Sequence, residues 1–230
     1  MKKLRRMIVW DLKLLVRYQI LTIAVVVTIG YVVLFKGAKS YLSESVVTML
    51  IFSDPAMLGF MFIGALVLFE KSAQTLSAIT VTPLRTWQYL WSKVLALTLL
   101  ALPCSMVMAG VGLQTFVYWH WLLLAVVLSS VLYTLLGFVG VLRVNTLNQY
   151  LIVIPLFMAP LCVPLLGWLG ITKEYFAYYL IPTQASLILF KASMSKVEAW
   201  ELVYAIMYLG ICIALTYRLA ENAFIKHIRT

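Results

Sequence analysis

The chain has 230 residues, of which 64% are hydrophobic and 11% are charged, and its formal net charge is +10. A soluble domain is about 45–50% apolar and about 25% charged, so this composition excludes a water-soluble fold. Because lipid can solvate the excess apolar surface, we interpret residues 1–230 as one membrane domain. The positive charge does not indicate a nucleic-acid partner. The basic residues are spread thinly beside apolar segments, where topology control and attraction to anionic membrane lipid explain them.

The N-terminal segment, residues 1–18, has the pattern of an amphipathic helix. Four apolar residues recur at spacings of four, four and three, which places them on one side of a helix. We predict an interfacial helix in the lipid headgroup layer, the alternative being a charged flank of the first span. Asp11 interrupts the apolar side, and the sequence offers no explanation for it. The apolar residues are Leu4, Ile8, Leu12 and Leu15, and the opposing basic anchors are Lys2, Arg6, Lys13 and Arg17.

Six apolar stretches have lengths that suit a membrane span. A span needs about 20 apolar residues, since the hydrocarbon core is about 30 Å thick and a helix rises about 1.5 Å per residue. For the short second stretch we predict a start at Asp54-Pro55, with Asp54 as N-cap. The alternative is a start near Val46, which would place Asp54 inside the span. We therefore predict an all-α membrane protein with six transmembrane helices, at residues 20–35, 55–69, 94–118, 121–142, 151–169 and 200–219.

The basic residues are divided unevenly between the connections. With the N-terminus inside, most of the 18 Lys and Arg residues fall on the inner side. The positive-inside rule therefore predicts a multi-pass protein of the cell (cytoplasmic) membrane with both termini in the cytoplasm. The basic residues left on the outer side are Lys36, Lys39, Lys173, Lys191 and Lys196.

Two connections are long. The cytoplasmic one, residues 70–92, is polar and breaks at Thr82-Pro83, after which residues 84–93 resume as a helix that leads into the third span. The extracellular one, residues 170–199, is too apolar for a solvated loop, and Pro182 divides it into halves too short to span. Because lipid does not tolerate irregular backbone, we predict two re-entrant helices there that dip part-way into the membrane.

The residues indicate no catalytic site and no metal site. The Walker A, GxSxG and HExxH patterns are absent, so we predict that the chain is not an enzyme and that any ATP-derived energy comes from another subunit. No cysteine pair or histidine partner stands at ligand spacing, and structural roles are expected. These residues are Cys104, Cys162, Cys212, His120 and His227.

Ionisable residues are nearly missing from the apolar stretches. A secondary transporter usually carries such groups within its spans, and only Asp54 comes near that position. Ion-coupled transport therefore lacks its usual groups. Prolines interrupt the third and fifth stretches, and they either disturb packing or shape a cavity or gate. They are Pro103, Pro155, Pro160 and Pro164.

Residues 69–93 carry an ordered pattern. Glu70 at the end of the second span is followed by Thr75, then by Thr82-Pro83-Leu84, then by an aromatic-Leu-x-x-Lys sequence that ends at Lys93. This pattern resembles the permeases of type-2 ABC exporters. The N-terminal helix, the six spans and the divided segment before the sixth span are similar to the elbow helix, topology and re-entrant helices of that family. SDPAMLGFMFIGALVLFEK and LSAITVTPLRTWQYLWSK most resemble the fluoroquinolone-export permease subfamily, although Gln74-Thr75 replaces the Gly-Thr of many members.

The resemblance implies a permease subunit that pairs with a second copy or a related permease and binds a separate ABC ATP-binding subunit. That subunit would hold ATP and Mg, with no cofactor in this chain. Glu70 would brace a coupling helix, Thr75 to Pro83 would sit in the ATPase cleft, and Lys93 would mark the cytoplasmic edge of the third span. Snorkelling at an interface is the alternative for Glu70 and Lys93. An amphipathic cargo, such as a drug, peptide or lipid-like molecule, would leave by alternating access between spans one, two and five of the dimer.

Two other functions stay open from the residues. The first is a non-transport or channel-like membrane module, such as a subunit of a haem-handling complex, which would share the topology and lack ATP-coupled flux. The second is an intramembrane enzyme, which needs polar side chains that converge at depth. Co-purification with an ATP-binding subunit would separate the exporter from both.

Overall fold

The computed structural model describes residues 2–38, 42–74, 86–113, 117–173 and 175–228. Six of the helices in these ranges are long and apolar enough to cross a membrane, which confirms the predicted number of spans. In the numbering given next, these six helices are α2 to α6 and α8. The elements are α1 (Lys2–Arg17), α2 (Ile20–Gly37), α3 (Glu44–Ser72), α4 (Thr86–Gly112), α5 (Trp119–Leu142), α6 (Leu147–Trp168), a 3-10 helix (Phe176–Leu180), α7 (Pro182–Ala192) and α8 (Ala199–Ile228).

The second span begins earlier than we predicted. Helix α3 runs without a break from Glu44 to Ser72, so the predicted start at Asp54-Pro55 is wrong. Its N-cap is Ser43, whose hydroxyl accepts a hydrogen bond from the Val46 amide at 3.4 Å. Pro55 removes one helical hydrogen bond, a loss that membrane helices tolerate when neighbouring helices pack around them. Asp54 therefore lies within the span.

The third span also differs from the prediction. Helix α4 is continuous from Thr86 to Gly112, so the short helix expected before the span and the span itself are one element. The predicted end of this span, at residue 118, lies beyond the end of α4. This continuity places Lys93 in the same helix as the membrane-embedded residues of the third span.

Helix α5 lies at the centre of the bundle and contacts α3, α4, α6, α7 and α8. It packs most extensively on α3, where a Cβ atom at Gly137 would come within 2.6 Å of the Phe60 carbonyl oxygen. A Cβ atom at Gly59 would meet the Thr134 hydroxyl at 2.8 Å. Helix α6 joins this pair through Tyr150, whose hydroxyl donates to the Phe60 carbonyl at 2.5 Å. Small residues thus let the backbones of α3 and α5 approach closely, as in other membrane bundles.

The segment between α6 and α8 folds into two short helices. The 3-10 helix ends at Leu180, and Pro182 takes the first position of α7. Helix α7 is buried against α5 and α8, and the hydroxyls of Tyr133 and Thr183 lie 2.7 Å apart between α5 and α7. The 3-10 helix instead leaves the Phe176 side chain 85% exposed. Pro182 therefore separates an exposed helix from a buried one.

Helices α2, α6 and α8 present apolar side chains on the outside of the bundle. Val33 of α2, Ile152 of α6 and Met207 of α8 are among the most exposed. Water would strongly disfavour surfaces of this kind, whereas lipid or another membrane subunit would cover them. Together with the six spans, these surfaces identify a multi-pass membrane protein.

Candidate functional site

One end of the bundle holds three buried charged side chains that contact each other. Glu70 lies near the end of α3, Lys93 lies two turns into α4, and Asp11 comes from the second half of α1. The Lys93 Nζ atom is 2.5 Å from Glu70 Oε1 and 3.1 Å from Asp11 Oδ1. We call Asp11, Glu70 and Lys93 the charged cluster. It joins three elements that are separated along the chain.

The charged cluster is closed off from solvent. Lys93 is 1% exposed, Asp11 is 4% exposed and Glu70 is 5% exposed. Burying an ion costs several kcal/mol, which is recovered only where opposite charges meet with good hydrogen-bond geometry. One ammonium between two carboxylates supplies this geometry, although Asp11 Oδ2 has no hydrogen-bond partner among the residues described. The arrangement therefore depends strongly on the ammonium of Lys93.

Tyr89 connects the charged cluster to the aromatic core. Its hydroxyl donates to Glu70 Oε2 at 2.6 Å, and the Lys93 Nζ atom lies 4.7 Å from the centre of its ring. The same ring packs against Phe138 of α5 and Phe224 of α8, with centroid distances of 6.1 and 5.1 Å. Tyr89 of α4 therefore connects the end of α3 with α5 and α8.

Lys71, the residue after Glu70, holds the end of α5. Its Nζ atom donates to the carbonyl oxygens of Val144 at 2.8 Å and Leu142 at 3.4 Å. The last carbonyls of a helix have no partner within the helix, and a cation there is favourable. Two adjacent residues of α3, Glu70 and Lys71, therefore attach α4 and the end of α5 at this end of the bundle.

The five coupling residues implied by the resemblance have different outcomes. Glu70 and Lys93 are brought together in the charged cluster, and their burial does not fit the alternative of snorkelling at an interface. Thr75, Thr82 and Pro83 lie in residues 75–85, outside the described residues. The structure therefore describes the elements on both sides of the predicted coupling helix.

The predicted anchors of α1 lie on the side away from the bundle. Arg6, Lys13 and Arg17 are exposed, while Lys2 begins the helix and its side chain lies outside the described part. Trp10 is 61% exposed on the same side. The opposite side of α1 packs on α4. A shallow groove on the outward side is lined by Arg5, Arg6, Val9, Trp10 and Lys13.

Asp11 is the cluster residue whose role the sequence did not reveal. It lies on the packed side of α1, where its carboxylate contacts Lys93. An acid on the apolar side of an amphipathic helix does signal a buried basic partner, since unpaired charges are rarely buried. The identity of that partner was out of reach, because Lys93 lies 82 residues further along the chain.

We expect Tyr89→Phe to destabilise the fold by about 1–3 kcal/mol, because Glu70 loses a buried hydrogen-bond donor. Unfolding in mixed micelles with increasing sodium dodecyl sulfate measures the change. The control is Tyr217→Phe, which keeps the ring stacked on Trp91 and should change stability little. Equal effects of the two variants would contradict the role of the Tyr89 hydroxyl.

The site shows no features of metal ligation in the described ranges. Within them, no group of three His, Cys, Asp or Glu side chains is placed to hold a metal ion. His120 contacts the aromatic rings of Tyr118 and Trp121, and the three cysteines are free thiols. The charged cluster joins α1, α3 and α4 by ion pairs and hydrogen bonds. Its chemistry is suited to fixing the relative positions of these helices.

Comparison with known proteins decides the family. The fluoroquinolones export permease protein family matches residues 2–230. The chain belongs to this family. Two fluoroquinolones export permease proteins of Mycobacterium tuberculosis, one from strain CDC 1551 / Oshkosh and one from strain ATCC 25618 / H37Rv, are each 33% identical over 181 residues, covering 76% of this chain and 75% of the relative. No solved structure matches the chain.

Family membership confirms the subfamily that the sequence resembled. It makes the chain a membrane permease of an exporter, in agreement with the six spans. The charged cluster therefore belongs to the membrane permease of an exporter. Buried ion pairs of this kind add little to stability compared with apolar packing. Our hypothesis is therefore that the charged cluster holds specific helices together.

Proposed function

We propose that this permease is the membrane subunit of an ATP-driven ABC exporter. It moves an amphipathic cargo outward by alternating access, and a separate ATP-binding subunit, which holds ATP and Mg, powers the cycle. The observation that carries the proposal is the charged cluster, because it ties together the two helices that flank residues 73–85. Membership in an export permease family supports the direction of transport.

The geometry of the charged cluster is suited to transmitting movement from the ATP-binding subunit to the membrane helices. The coupling segment, residues 70–92 with Thr75, Thr82 and Pro83, meets the ATP-binding subunit. A push on this connection reaches α3 at Glu70 and α4 at Lys93 together, since an ion pair of 2.5 Å locks the two ends. Asp11 adds α1 to the same unit. Rigid-body movement of packed helices is a common way to turn a local displacement into a change of access.

The apolar surfaces of α2 and α6 support assembly as a dimer. Both helices expose large aliphatic side chains along their length, including Val33 and Ile152. A second copy of this chain or a related permease covers part of these surfaces, and lipid covers the rest. The cargo moves along the dimer interface, between α2, α3 and α6. Drugs, peptides and lipid-like molecules all match a pathway with apolar walls, which fits multidrug export.

The short helices fit the inner and outer faces of the cytoplasmic membrane. Helix α1 is the interfacial elbow helix, and its outward groove combines basic side chains with Trp10, a residue type common at headgroup level. Anionic membrane lipid is the partner there. The 3-10 helix and α7 form the extracellular re-entrant segment that turns at Pro182. Both termini are cytoplasmic in this arrangement, as the distribution of basic residues predicts.

Thr82→Ala combined with Pro83→Ala tests the coupling helix without touching the charged cluster. We expect the double variant to lose at least tenfold in ATP-dependent transport and to retain less of the ATP-binding subunit during purification. The reason is that the Thr-Pro break shapes the segment that enters the ATPase cleft. Transport into inside-out vesicles and the subunit ratio on a gel measure the two effects.

The matched control is Ser195→Ala combined with Lys196→Ala in the connection between α7 and α8, at the opposite end of the permease. It should transport as the unchanged protein does. If the Thr82 and Pro83 variant transports normally, or if the purified permease moves cargo with no ATP-binding subunit present, the exporter proposal is wrong.

A further inference from the structure

A second buried acid lies far from the charged cluster. Asp54 is ten residues into α3, about 15 Å from its start at about 1.5 Å per residue, which places it within the membrane-spanning helix. Its side chain is 3% exposed. Neither carboxylate oxygen has a hydrogen-bond partner among the described residues. The proposed coupling mechanism makes no use of this residue.

Helices α2, α3 and α4 meet at the level of Phe35, Val47 and Gly112. Atoms of Phe35 and Val47 both lie within 2.9 Å of where a Cβ atom on Gly112 would be. These three residues, one from each helix, are therefore at the same height along the bundle, about two helical turns nearer the helix ends than Asp54. Seven residues deeper on each helix are Thr28, Asp54 and Ser105, with Cys104 beside the last. The Cys104 thiol lies near both Thr28 and Asp54.

Within its described ranges, the permease itself offers no cation to Asp54. The two ion pairs found there both involve Lys93, and neither involves Asp54. On the helices that pack against this face, the titratable group near Asp54 is the thiol of Cys104, which supplies no positive charge. A carboxylate held at this depth without a partner is strongly disfavoured, so it carries a proton or receives a cation from outside the chain.

The neighbours of Asp54 favour an organic cation over a bare metal ion. Hard cations such as Na⁺ or Ca²⁺ need several oxygen ligands. Here Thr28 already donates its hydroxyl to the Ala24 carbonyl, and Cys104 presents sulfur. A protonated amine needs only one or two acceptors together with apolar surroundings, and an acid within a membrane bundle supplies them.

We infer that Asp54, with Thr28 and Cys104 beside it, is an intramembrane site for the cationic amine of the transported molecule. The inference rests on the proposed function, since it names the chemistry of the cargo. Without bound cargo, the carboxyl group carries a proton in this proposal. When the helices separate and an ammonium binds, that proton leaves to water, and the carboxylate accepts the N–H hydrogen bond of the cargo. Asp54 thus selects cargo by charge. The apolar side chains along the proposed pathway between α2, α3 and α6 select it by size and hydrophobicity.

The test uses the permease reconstituted with its ATP-binding subunit and two matched cargoes. One is a fluoroquinolone with a basic piperazine amine, and the other is the same compound acetylated on that amine. We expect the unchanged protein to transport the amine at least tenfold faster. Asp54→Asn should bring this ratio below two, and Asp54→Glu should keep most of it. Glu44→Gln, which removes an exposed acid from the same helix, is the control and should keep the full ratio.

The possible outcomes separate this inference from the exporter proposal. Absence of ATP-dependent transport of either cargo by the unchanged protein would overturn the exporter proposal and this inference with it. Transport with an unaltered ratio in Asp54→Asn, or an equal loss for both cargoes, would overturn only the role of Asp54. Na⁺-dependent transport that Asp54→Asn abolishes would overturn it in favour of an ion site. Should Asp54→Asn fail to accumulate, Asp54→Ala is tested in its place, with the same expected loss of the ratio.

Discussion

Lys93→Met is expected to destabilise the permease by about 3–5 kcal/mol, because it leaves two buried carboxylates without their cation. Asp11 and Glu70 both contact the Lys93 ammonium, and all three residues are 5% exposed or less. Methionine keeps most of the volume of lysine, so the loss is one of charge and hydrogen bonding rather than of packing. Unfolding titrations in mixed micelles, followed by tryptophan fluorescence, measure the change.

A triple variant separates the fold from the function of the charged cluster. Combining Asp11→Leu, Glu70→Gln and Lys93→Met removes every charge, while the new glutamine side chain can still accept the Tyr89 hydroxyl hydrogen bond. Replacing a buried ion network by neutral groups of similar size is often neutral or stabilising, so we expect the triple variant to recover most of the lost stability. Under the proposed function it should nevertheless transport poorly, since the lock between α3 and α4 is gone. A single Lys93→Met variant as stable as the unchanged permease would contradict the buried ion network itself.

Gly137→Ala is expected to destabilise the permease by about 1–3 kcal/mol, the usual cost of overpacking a core. The added Cβ atom would lie 2.6 Å from the Phe60 carbonyl oxygen and 2.9 Å from the Phe60 Cα atom. These are backbone atoms, so no side chain can rotate away, and α3 and α5 have to separate. The same mixed-micelle titration measures the effect.

The matched control for Gly137→Ala is Gly210→Ala in α8. A Cβ atom at Gly210 would meet no atom within 4 Å. Alanine is favoured over glycine inside a helix by about 1 kcal/mol, so this variant should be neutral or slightly more stable. If both glycine variants lose the same stability, the close approach of α3 and α5 at Gly137 is not what limits the fold.

Several features could be predicted from the sequence because they depend on local length and composition. The number of spans follows from apolar stretches of sufficient length, and Pro182 marks the boundary between two short helices because proline suits the first turn of a helix. The amphipathic pattern of α1 was visible for the same reason. The family was also within reach, because residues 69–93 keep their order and spacing.

The start of α3 shows where local rules failed. Both Ser43 and Asp54 are good N-cap residues, and Pro55 made the later one look better. In the folded bundle, packing of α3 against α4 and α5 extends the helix through Pro55, and tertiary contacts override the local preference. The same contacts bury Asp54 within the span. The residue predicted as an N-cap is therefore the one on which the cargo inference depends.

The amino-acid sequence by itself determined that this protein resides in lipid, how many times it crosses, and which family it belongs to, because hydrophobicity and residue order are properties of the chain alone. Only the tertiary structure decided that Asp11 and Glu70 share one lysine and that Asp54 has no hydrogen-bond partner in the part of the chain described. Pairing and isolation of charges depend on which helices become neighbours, and residues 82 positions apart meet only after the bundle has closed.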